Sequence, residues 1–547
     1  MKNAFACGCT FDVAGNHVVY DPNIEHLPLE CSATWDLICD GNTKGVFQLE
    51  SQLGRSMSER VKPKNIEELS DLVAIIRPGC MEAMVDGKSL TQHYIDRKHG
   101  IDPVEYFHDA LEPILSSTYG ILVYQEQAIL IARDIGGFDL QEADILRKAI
   151  GKKSVGLMAE LKKQFIQKAA KRKIVTKEQA EEIFSWIEKS QRYSFNKSHA
   201  VSYAYNAYLT AYTKAHFPRE FFTSYLKNSI GKPDAYTEIE ELVNNARIMD
   251  IDVMPPNIKK MNKRFTLVGP NPTFGITEIK GVGGSVFDKM GECLSRNQIN
   301  LETCDWNAFL VGFGSCIKVD SFEALILSGA LDCFNVSRSQ MAHELKMFRE
   351  LSKREIAWVE TYKPSDVKAS LEERISEMIS INNWSDSKRP IFRRDRLEVL
   401  ESIVSSLQNP GYELIDLPGW KARKEEHYLG VSLTCARVDE YDTSGANCTC
   451  KEYTDGFNSR NGIRIAAQID GVREWKIKRG NAKGKKMAFV TISDGTCSLD
   501  SVTVFSDEWE KYSNELSEGN VLLLAGMRDS KRGSFLIKAV SKVKSLA

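Results

Sequence analysis

Arg192-Tyr193-Ser194-Phe195-Asn196-Lys197-Ser198-His199-Ala200, followed by Tyr203, Tyr205 and Tyr208, is the stretch on which the reading of this chain turns. An amide, a cation, a hydroxyl and an imidazole stand together at the start of an aromatic-rich helix. A helix N-terminus presents N–H groups that lack intrahelical partners, and the positive end of the helix dipole, which suits a phosphate. Upstream, Leu146-Arg147-Lys148-Ala149-Ile150-Gly151-Lys152-Lys153 adds four cations. Between Leu146 and Arg219 there are sixteen Lys or Arg against five Asp or Glu. Such a local excess marks a polyanion-binding face, although a solvated helix face produces the same pattern.

The rest of the chain sets the frame. Its 547 residues are enough for three or four domains. With 42% apolar and 27% charged residues, a packed core is expected. The formal charge of −2 argues against wholesale coating of nucleic acid, yet local basic patches still permit a DNA binder. There is no apolar run of the roughly 18 residues that span a bilayer and no signal peptide, so a cytoplasmic chain with no membrane partner is expected. The 13 cysteines are odd in number and scattered, which reads as reduced thiols. Cys7-Gly8-Cys9 and Cys448-Thr449-Cys450 could each supply half of a tetrahedral zinc site. For the first pair the other ligands would come from Cys31, Cys39 or a partner. Free cysteines are the alternative at both places, because neither pair has a second pair at zinc-ribbon spacing.

A series of short words, in order, carries a resemblance. They are Gly45-Val46-Phe47-Gln48-Leu49-Glu50-Ser51, Ile76-Arg77-Pro78-Gly79, Ile95-Asp96-Arg97-Lys98-His99-Gly100 and Leu111-Glu112-Pro113-Ile114. Thr118-Tyr119-Gly120, Val123-Tyr124-Gln125-Glu126-Gln127, Glu142-Ala143-Asp144, Leu146-Arg147-Lys148-Ala149 and Phe195-Asn196-Lys197-Ser198-His199 continue them. Together they resemble the C-family replicative polymerases, the bacterial DNA polymerase III alpha subunits. The resemblance is strongest from about Thr43 to Ser285 and returns near the C-terminus. It implies a DNA-directed DNA polymerase, a nucleotidyltransferase. The family's palm, with its triad of metal-binding aspartates, precedes the matched region. Its Phe-Asp-Phe-Leu-Gly-type segment finds only a poor echo in Phe11-Asp12-Val13-Ala14-Gly15. The expectation is therefore the C-terminal half of a split enzyme, of bacterial or phage origin, with Mg²⁺ held mainly by a palm-bearing partner chain.

The expected fold class is multidomain α+β. Mainly helical fingers and a helix-hairpin-helix region precede a C-terminal OB-fold β-barrel. Residues 1–42 read as a palm-proximal entry module and 43–256 as fingers. Residues 257–408 read as a clamp-proximal helix-hairpin-helix domain with a charged helical insertion at 349–396, 409–460 as a linker and 461–547 as the OB-fold. In the fingers, Asn65-Ile66-Glu67-Glu68-Leu69 opens a helix that stops at Arg77-Pro78-Gly79, and Thr176-Lys177-Glu178-Gln179 has capping-box spacing. Arg147, Lys148, Lys152, Lys153 and Lys197 are candidates for the triphosphate, with Asn196 and His199 as hydrogen-bond donors. Tyr124 and Gln125 belong to a word too polar for a simple core helix. They line a nascent base-pair pocket or form a buried network. Arg77 is either a ligand contact or a loop anchor.

Ile276-Thr277-Glu278-Ile279-Lys280-Gly281-Val282-Gly283-Gly284 resembles a helix-hairpin-helix, in which glycine amides approach a DNA phosphate without reading sequence. Lys280, Gly281, Gly283 and Gly284 are the candidate DNA contacts, and the residues before the hairpin read as helix. Phe322–Asp332 resembles a second repeat. Ser406–Leu417 stands where a sliding-clamp peptide would lie, with plain linker as the alternative. From Ile463 onward, period-2 alternation marks five strands, with a helix near Glu508–Leu516, which fits an OB-fold. Between Arg473 and Lys486 lie Trp475, Lys476, Lys478, Arg479, Lys483 and Lys485. A basic loop with an aromatic suits single-stranded template, and a solvated hairpin is the alternative. The expected partners are dNTP, template-primer DNA, a palm-bearing chain and a sliding clamp. A non-catalytic DNA-binding or clamp-tethering replisome scaffold is the rival reading.

Overall fold

The computed structural model describes residues 2–4, 7–14, 17–19, 21, 23–152, 155–190, 193–362, 369–384, 393–477, 482–529 and 533–546. It divides into two compact units, Met1–Pro218 and Arg219–Ala547. The division falls inside the expected 43–256 block. Phe222, Leu226, Ile239, Leu242 and Val243 pack with the second unit's core, among Phe274, Met290, Phe309 and Phe322.

The first unit begins with a three-stranded antiparallel sheet of β1 (Lys2–Ala4), β2 (Thr10–Ala14) and β3 (His17–Val19). Helices follow. The α1 helix, Ser32–Cys39, buries Trp35, Leu37 and Ile38. The α2 helix, Ile66–Ile75, starts where Asn65 Oδ1 accepts the Glu68 N–H at 2.9 Å, and every residue from Leu69 to Ile75 is buried. The α3 helix (Gln125–Asp134) and α4 (Leu140–Lys152) join a core of Leu122, Ile131, Leu146, Phe165, Ile183 and Phe184. The expected Thr176/Gln179 capping box is present, with each side chain accepting from the other's backbone. The α5 helix, Lys197–His216, closes the unit and packs on α1 and α2. Near its end Lys214 is fully buried, and its Nζ donates to the carbonyls of Asn42 and Lys44, each at 2.8 Å. Burial drives the Lys214 pKa well below the usual lysine range.

In the second unit the Gly281 turn is preceded by a single 3₁₀ turn, Ile276–Glu278, and by extended Ile279, not by the helix read from the sequence. Glu278 in that turn is buried and ion-paired with Arg264, and its neighbour Ile279 enters the core. Tertiary contacts thus override helical propensity. The α6 helix (Gly284–Arg296) follows, then α7 (Val319–Leu327) and α8 (Arg338–Arg349). Cys293 and Cys316 are joined in a disulfide, a departure from the expectation of thiols alone; their Cα atoms are 6.2 Å apart, within bridging range. Within the charged stretch 349–396 lie the helices Lys353–Thr361 and Leu371–Trp384, and Val359, Leu371, Ile375 and Met378 enter the same core. Arg338, buried, donates to Asp332 and Glu425, each at 2.7 Å, and fixes α8 against α9 (Pro418–Leu429).

The C-terminal segment is a closed five-stranded barrel of β4 (Ile463–Lys476), β5 (Lys486–Ser493), β6 (Ser498–Val504), β7 (Val521–Arg528) and β8 (Phe535–Lys542). The strand order is β6-β8-β7-β4-β5, and β6 meets β8 in parallel. The α10 helix, Ser506–Tyr512, stands between β6 and β7. Five strands in this order, with a helix after the third, make the expected OB-like barrel. Alternation puts Ile465, Ala467, Ile469, Val490, Ile492 and Ile537 inside.

Candidate nucleotide and nucleic-acid interface

Asp71 organises the first unit's site. It lies on the fully buried stretch of α2 and is itself 0% exposed. Tyr94 and Tyr124 donate their hydroxyls to its two carboxylate oxygens at 2.8 and 2.6 Å. Burial favours the protonated acid and the two hydroxyl donors favour the carboxylate; the balance leaves the Asp71 pKa at about 7. Burial also pushes both phenols upward, reinforced by the Asp71 charge.

Tyr124 connects this core to the 193–199 loop. It forms a parallel bridge with Phe195, in which the Phe195 N–H donates to the Val123 carbonyl at 3.0 Å and the Gln125 N–H donates to Phe195 at 2.9 Å. Asn196 caps α5, its Oδ1 accepting the His199 N–H at 2.9 Å. Glu126 reaches the same helix start: its carboxylate accepts from Asn196 Nδ2 at 2.8 Å and from the Lys197 N–H at 2.9 Å. A carboxylate thus already sits where the helix dipole favours an anion. Lys197 Nζ lies 5.6 Å from the Tyr124 ring centre and 3.2 Å from Glu67. The Arg77 guanidinium stacks on Phe195 at 3.6 Å, and His199 stands 4.0 Å from the Tyr203 ring.

The candidates therefore sort into groups. Asn196, Lys197, His199, Tyr124, Gln125 and Arg77 come together. Tyr124 is only 1% exposed and its hydroxyl is held by Asp71, so it supports the loop from beneath. Gln127, not Gln125, completes the buried network, accepting from the Val123 and Tyr124 N–H groups and donating to Thr118. Gln125 and Glu126 are the half-buried members of that word, and Glu126 is engaged by Asn196 and Lys197. Arg77 anchors the loop by stacking. On α4, Arg147 and Lys148 both pair with Asp144, at 2.8 and 2.7 Å, and neither hydrogen-bonds to the 196–199 loop. Lys152 ends α4, with its side chain outside the described residues, as is Lys153. Asp71, Tyr94 and Glu67 were missed by sequence reasoning. The available signal is one carboxylate inside the Leu69–Ile76 run, whose only other polar residue is Ser70.

In the second unit, Gly281 takes a left-handed turn (φ +90°), and a Cβ placed there or at Gly283 would meet nothing within 4 Å. Lys280 is exposed beside this open backbone, and Gly284 begins α6. Ser321 at the start of α7 donates to the Gly281 carbonyl at 2.9 Å and fixes the turn. On the barrel, Trp475 is 48% exposed at the end of β4, next to Lys476. Lys485 pairs with Asp507 at 3.1 Å and Lys486 with Glu474 at 2.6 Å. Lys483 is exposed on the same hairpin, whereas Lys478 and Arg479 lie outside the described residues. Below the barrel, a cavity of about 270 Å³ is bordered by Glu240, Arg247, Glu426, Arg437 and Asp470. Burial and neighbouring carboxylates raise Glu240 to about 7 and Asp470 to about 6. In the 409–417 stretch Tyr412 is 60% and Ile415 61% exposed, while Asp416 accepts from the Arg338 and Ser339 N–H groups.

One group of three or more potential metal ligands comes together among the described residues: Cys7, Cys9, Cys31 and His216. It contains no carboxylate and does not fit Mg²⁺, a hard cation that takes oxygen ligands. Cys39 stays apart and contacts the Pro63 carbonyl. Cys448 and Cys450 are buried beside the barrel without joining such a group.

Comparison with known proteins matches residues 10–173 to the bacterial DNA polymerase III alpha subunit finger domain, and residues 250–341 to a helix-hairpin-helix motif. The chain resembles the C-terminal half of a DNA polymerase III alpha subunit. It is 29% identical to the DNA polymerase III subunit alpha of Staphylococcus epidermidis over 508 residues, 92% of this chain and 42% of that protein. It is 42% identical to that of Aquifex aeolicus over 264 residues, 48% of this chain and 22% of the relative. The Staphylococcus aureus subunit is 28% identical over 514 residues, 93% of this chain and 42% of that one. The chain thus spans about two fifths of the staphylococcal relatives' length. No helix among the described residues is long and apolar enough to cross a membrane.

Proposed function

We propose that this chain is the fingers, duplex-proximal and single-strand-binding part of a replicative DNA polymerase. It binds incoming dNTP and template-primer, while a separate chain supplies the palm aspartates and their Mg²⁺. The observation that carries the reading is the 195–199 loop. Two backbone bonds and the Glu126 carboxylate hold it on Tyr124, leaving Lys197 and His199 at the surface. Under this reading Lys197, His199, Arg147 and Lys148 contact the triphosphate, the last two by exchanging Asp144 for phosphate. The Gly281–Gly284 turn holds a duplex phosphate, and Trp475, Lys476 and Lys483 hold single-stranded template. Residues 1–42, 43–256, 257–408, 409–460 and 461–547 then serve as entry module, fingers, clamp-proximal domain, linker and OB-fold of a cytoplasmic enzyme.

The test is primer extension. The purified chain with primed template, dNTPs and Mg²⁺ gives no product; adding a palm-bearing polymerase chain restores synthesis. Extension by this chain alone overturns the division of labour. A clamp-tethering scaffold is favoured by one observation only, the exposed Tyr412 and Ile415 beside pinned Asp416. It predicts that Tyr412→Ala abolishes clamp capture while dNTP photocrosslinking to the 195–199 loop is absent in wild type.

A further inference from the structure

We propose that Cys7, Cys9, Cys31 and His216 bind one structural zinc ion in a closed tetrahedral site. The four donors come from three places. Cys7 and Cys9 flank Gly8 in the turn between β1 and β2, and Gly8 adopts a left-handed conformation (φ +85°) with no neighbour within 4 Å of an added Cβ. Cys31 is the N-cap residue of α1, and His216 is the last residue of α5. One ligand atom from each lies within 4.8 Å of all the others. His216 Nε2 is 3.9 Å from Cys7 Sγ and 3.2 Å from Cys31 Sγ. With Zn–S near 2.3 Å and Zn–N near 2.0 Å, a tetrahedral ion needs donor–donor edges of about 3.5–3.8 Å. The donors therefore already stand at coordination distance, and small shifts would seat the ion.

The chemistry of the set selects the metal. Three thiolates and one imidazole suit zinc and exclude magnesium or calcium, which take oxygen. Four protein ligands leave no open position, as in structural rather than catalytic sites. Cys9, Cys31 and His216 are buried, Cys7 is half-buried, and the Tyr212 ring packs against His216 at 4.4 Å, so the site is open to water only on the Cys7 side. Binding deprotonates the thiols that are still protonated and releases those protons to solvent, with no redox step. The ion would pin the N-terminal sheet and α1 to the far end of α5, a 20-residue helix about 30 Å long whose other end carries Asn196 and Lys197.

The experiment uses the full chain purified without chelator and without added metal. Elemental analysis should find about one zinc per chain. After removal and titration with Co²⁺, the folded chain should show thiolate-to-cobalt charge-transfer absorption and the intense visible bands of tetrahedral cobalt. Alkylation followed by peptide mass spectrometry should find Cys7, Cys9 and Cys31 protected at least tenfold by metal, with Cys39 labelled equally in both states. Chelation should lower the apparent melting temperature by more than about 5 °C. Cys9→Ser and His216→Ala should lose the cobalt spectrum, and Cys39→Ser should keep it. Should those variants fail to fold, the wild-type spectrum and the alkylation pattern decide. A folded wild-type chain without zinc, with only weak octahedral cobalt bands and equal thiol labelling with and without metal, overturns the site.

Discussion

The 195–199 loop and the 475–486 hairpin both present cations next to an aromatic ring, yet they are built differently. The loop rests on a buried, satisfied network: Asp71 holds Tyr94 and Tyr124, Gln127 holds the backbone beneath, and Glu126 caps α5. Few groups reach the surface, and each has one place to be. Among the described residues, the hairpin's cations stand at exposed strand ends, Lys485 paired with Asp507 and Lys486 with Glu474. Exposed pairs are worth little and are screened by salt. A pre-organised site suits a ligand of fixed shape, such as a nucleotide; an adaptable basic strand end suits a polyanion of any sequence.

The sharpest way to break this contrast is to remove its keystone. Asp71→Ala leaves two buried tyrosine hydroxyls without their acceptor. At roughly 1–3 kcal/mol for each, denaturant unfolding at pH 6 should find the first unit weakened by about 2–6 kcal/mol. A loss below about 1 kcal/mol would mean the network is ornamental.

The second test is titration. The folded Asp71 pKa of about 7 lies above its ordinary 3.8, so the folded state holds a proton that the unfolded state has released. Stability from this group therefore falls as pH rises from about 4 to about 7. At about 1.4 kcal/mol per unit the ceiling is near 4 kcal/mol, and a fall of about 2 kcal/mol is expected. Asp71→Asn should remove most of that slope. Parallel melts of both proteins at pH 5 and pH 8 decide; equal slopes count against the assignment.

These effects also show what the sequence could carry. The Asn65 cap, the Thr176/Gln179 box and the barrel strands were readable because each signal lies within a few residues. The Asp71–Tyr124 pair spans 53 positions and the Cys31–His216 pair 185, and no local period reports such convergence. The 3₁₀ turn at Ile276–Glu278 was misread as helix because buried Glu278 and its Arg264 partner, fourteen residues away, decide the backbone. Residues 195–199 stand out in the sequence as a candidate through their mixture of types; that Glu126 already occupies the helix start does not.

The third test sits on the surface. Lys197→Ala in the reconstituted enzyme should cost about 1.5–3 kcal/mol, a ten- to hundredfold drop in kcat/KM for dNTP. Arg147→Ala should cost less, since that guanidinium must first leave Asp144. Equal losses at the two positions would place α4 on the same footing as the loop. The smallest effect is expected at the barrel. Trp475→Ala should weaken binding of a short single-stranded oligonucleotide by about 1–3 kcal/mol for the stacked base. Lys476→Ala should reduce the salt slope by about 0.7 per lost phosphate contact. Fluorescence anisotropy of a dye-labelled oligonucleotide measures both, and a salt slope unchanged by Lys476→Ala would remove the hairpin from template handling.

The packing of α5 on the start of the chain has a consequence during synthesis. Tyr208 packs on Trp35 and donates to the Pro28 carbonyl, and Lys214 closes the turn at Asn42 and Lys44. These partners emerge from the ribosome about 170–180 residues before α5 does. At 5–20 residues per second, the apolar face of α1 waits roughly ten to thirty-five seconds for its cover. The nascent first unit is therefore a natural client for a holding chaperone. Translation stalled just short of codon 197 should yield a protease-sensitive chain, and release past codon 216 a resistant one.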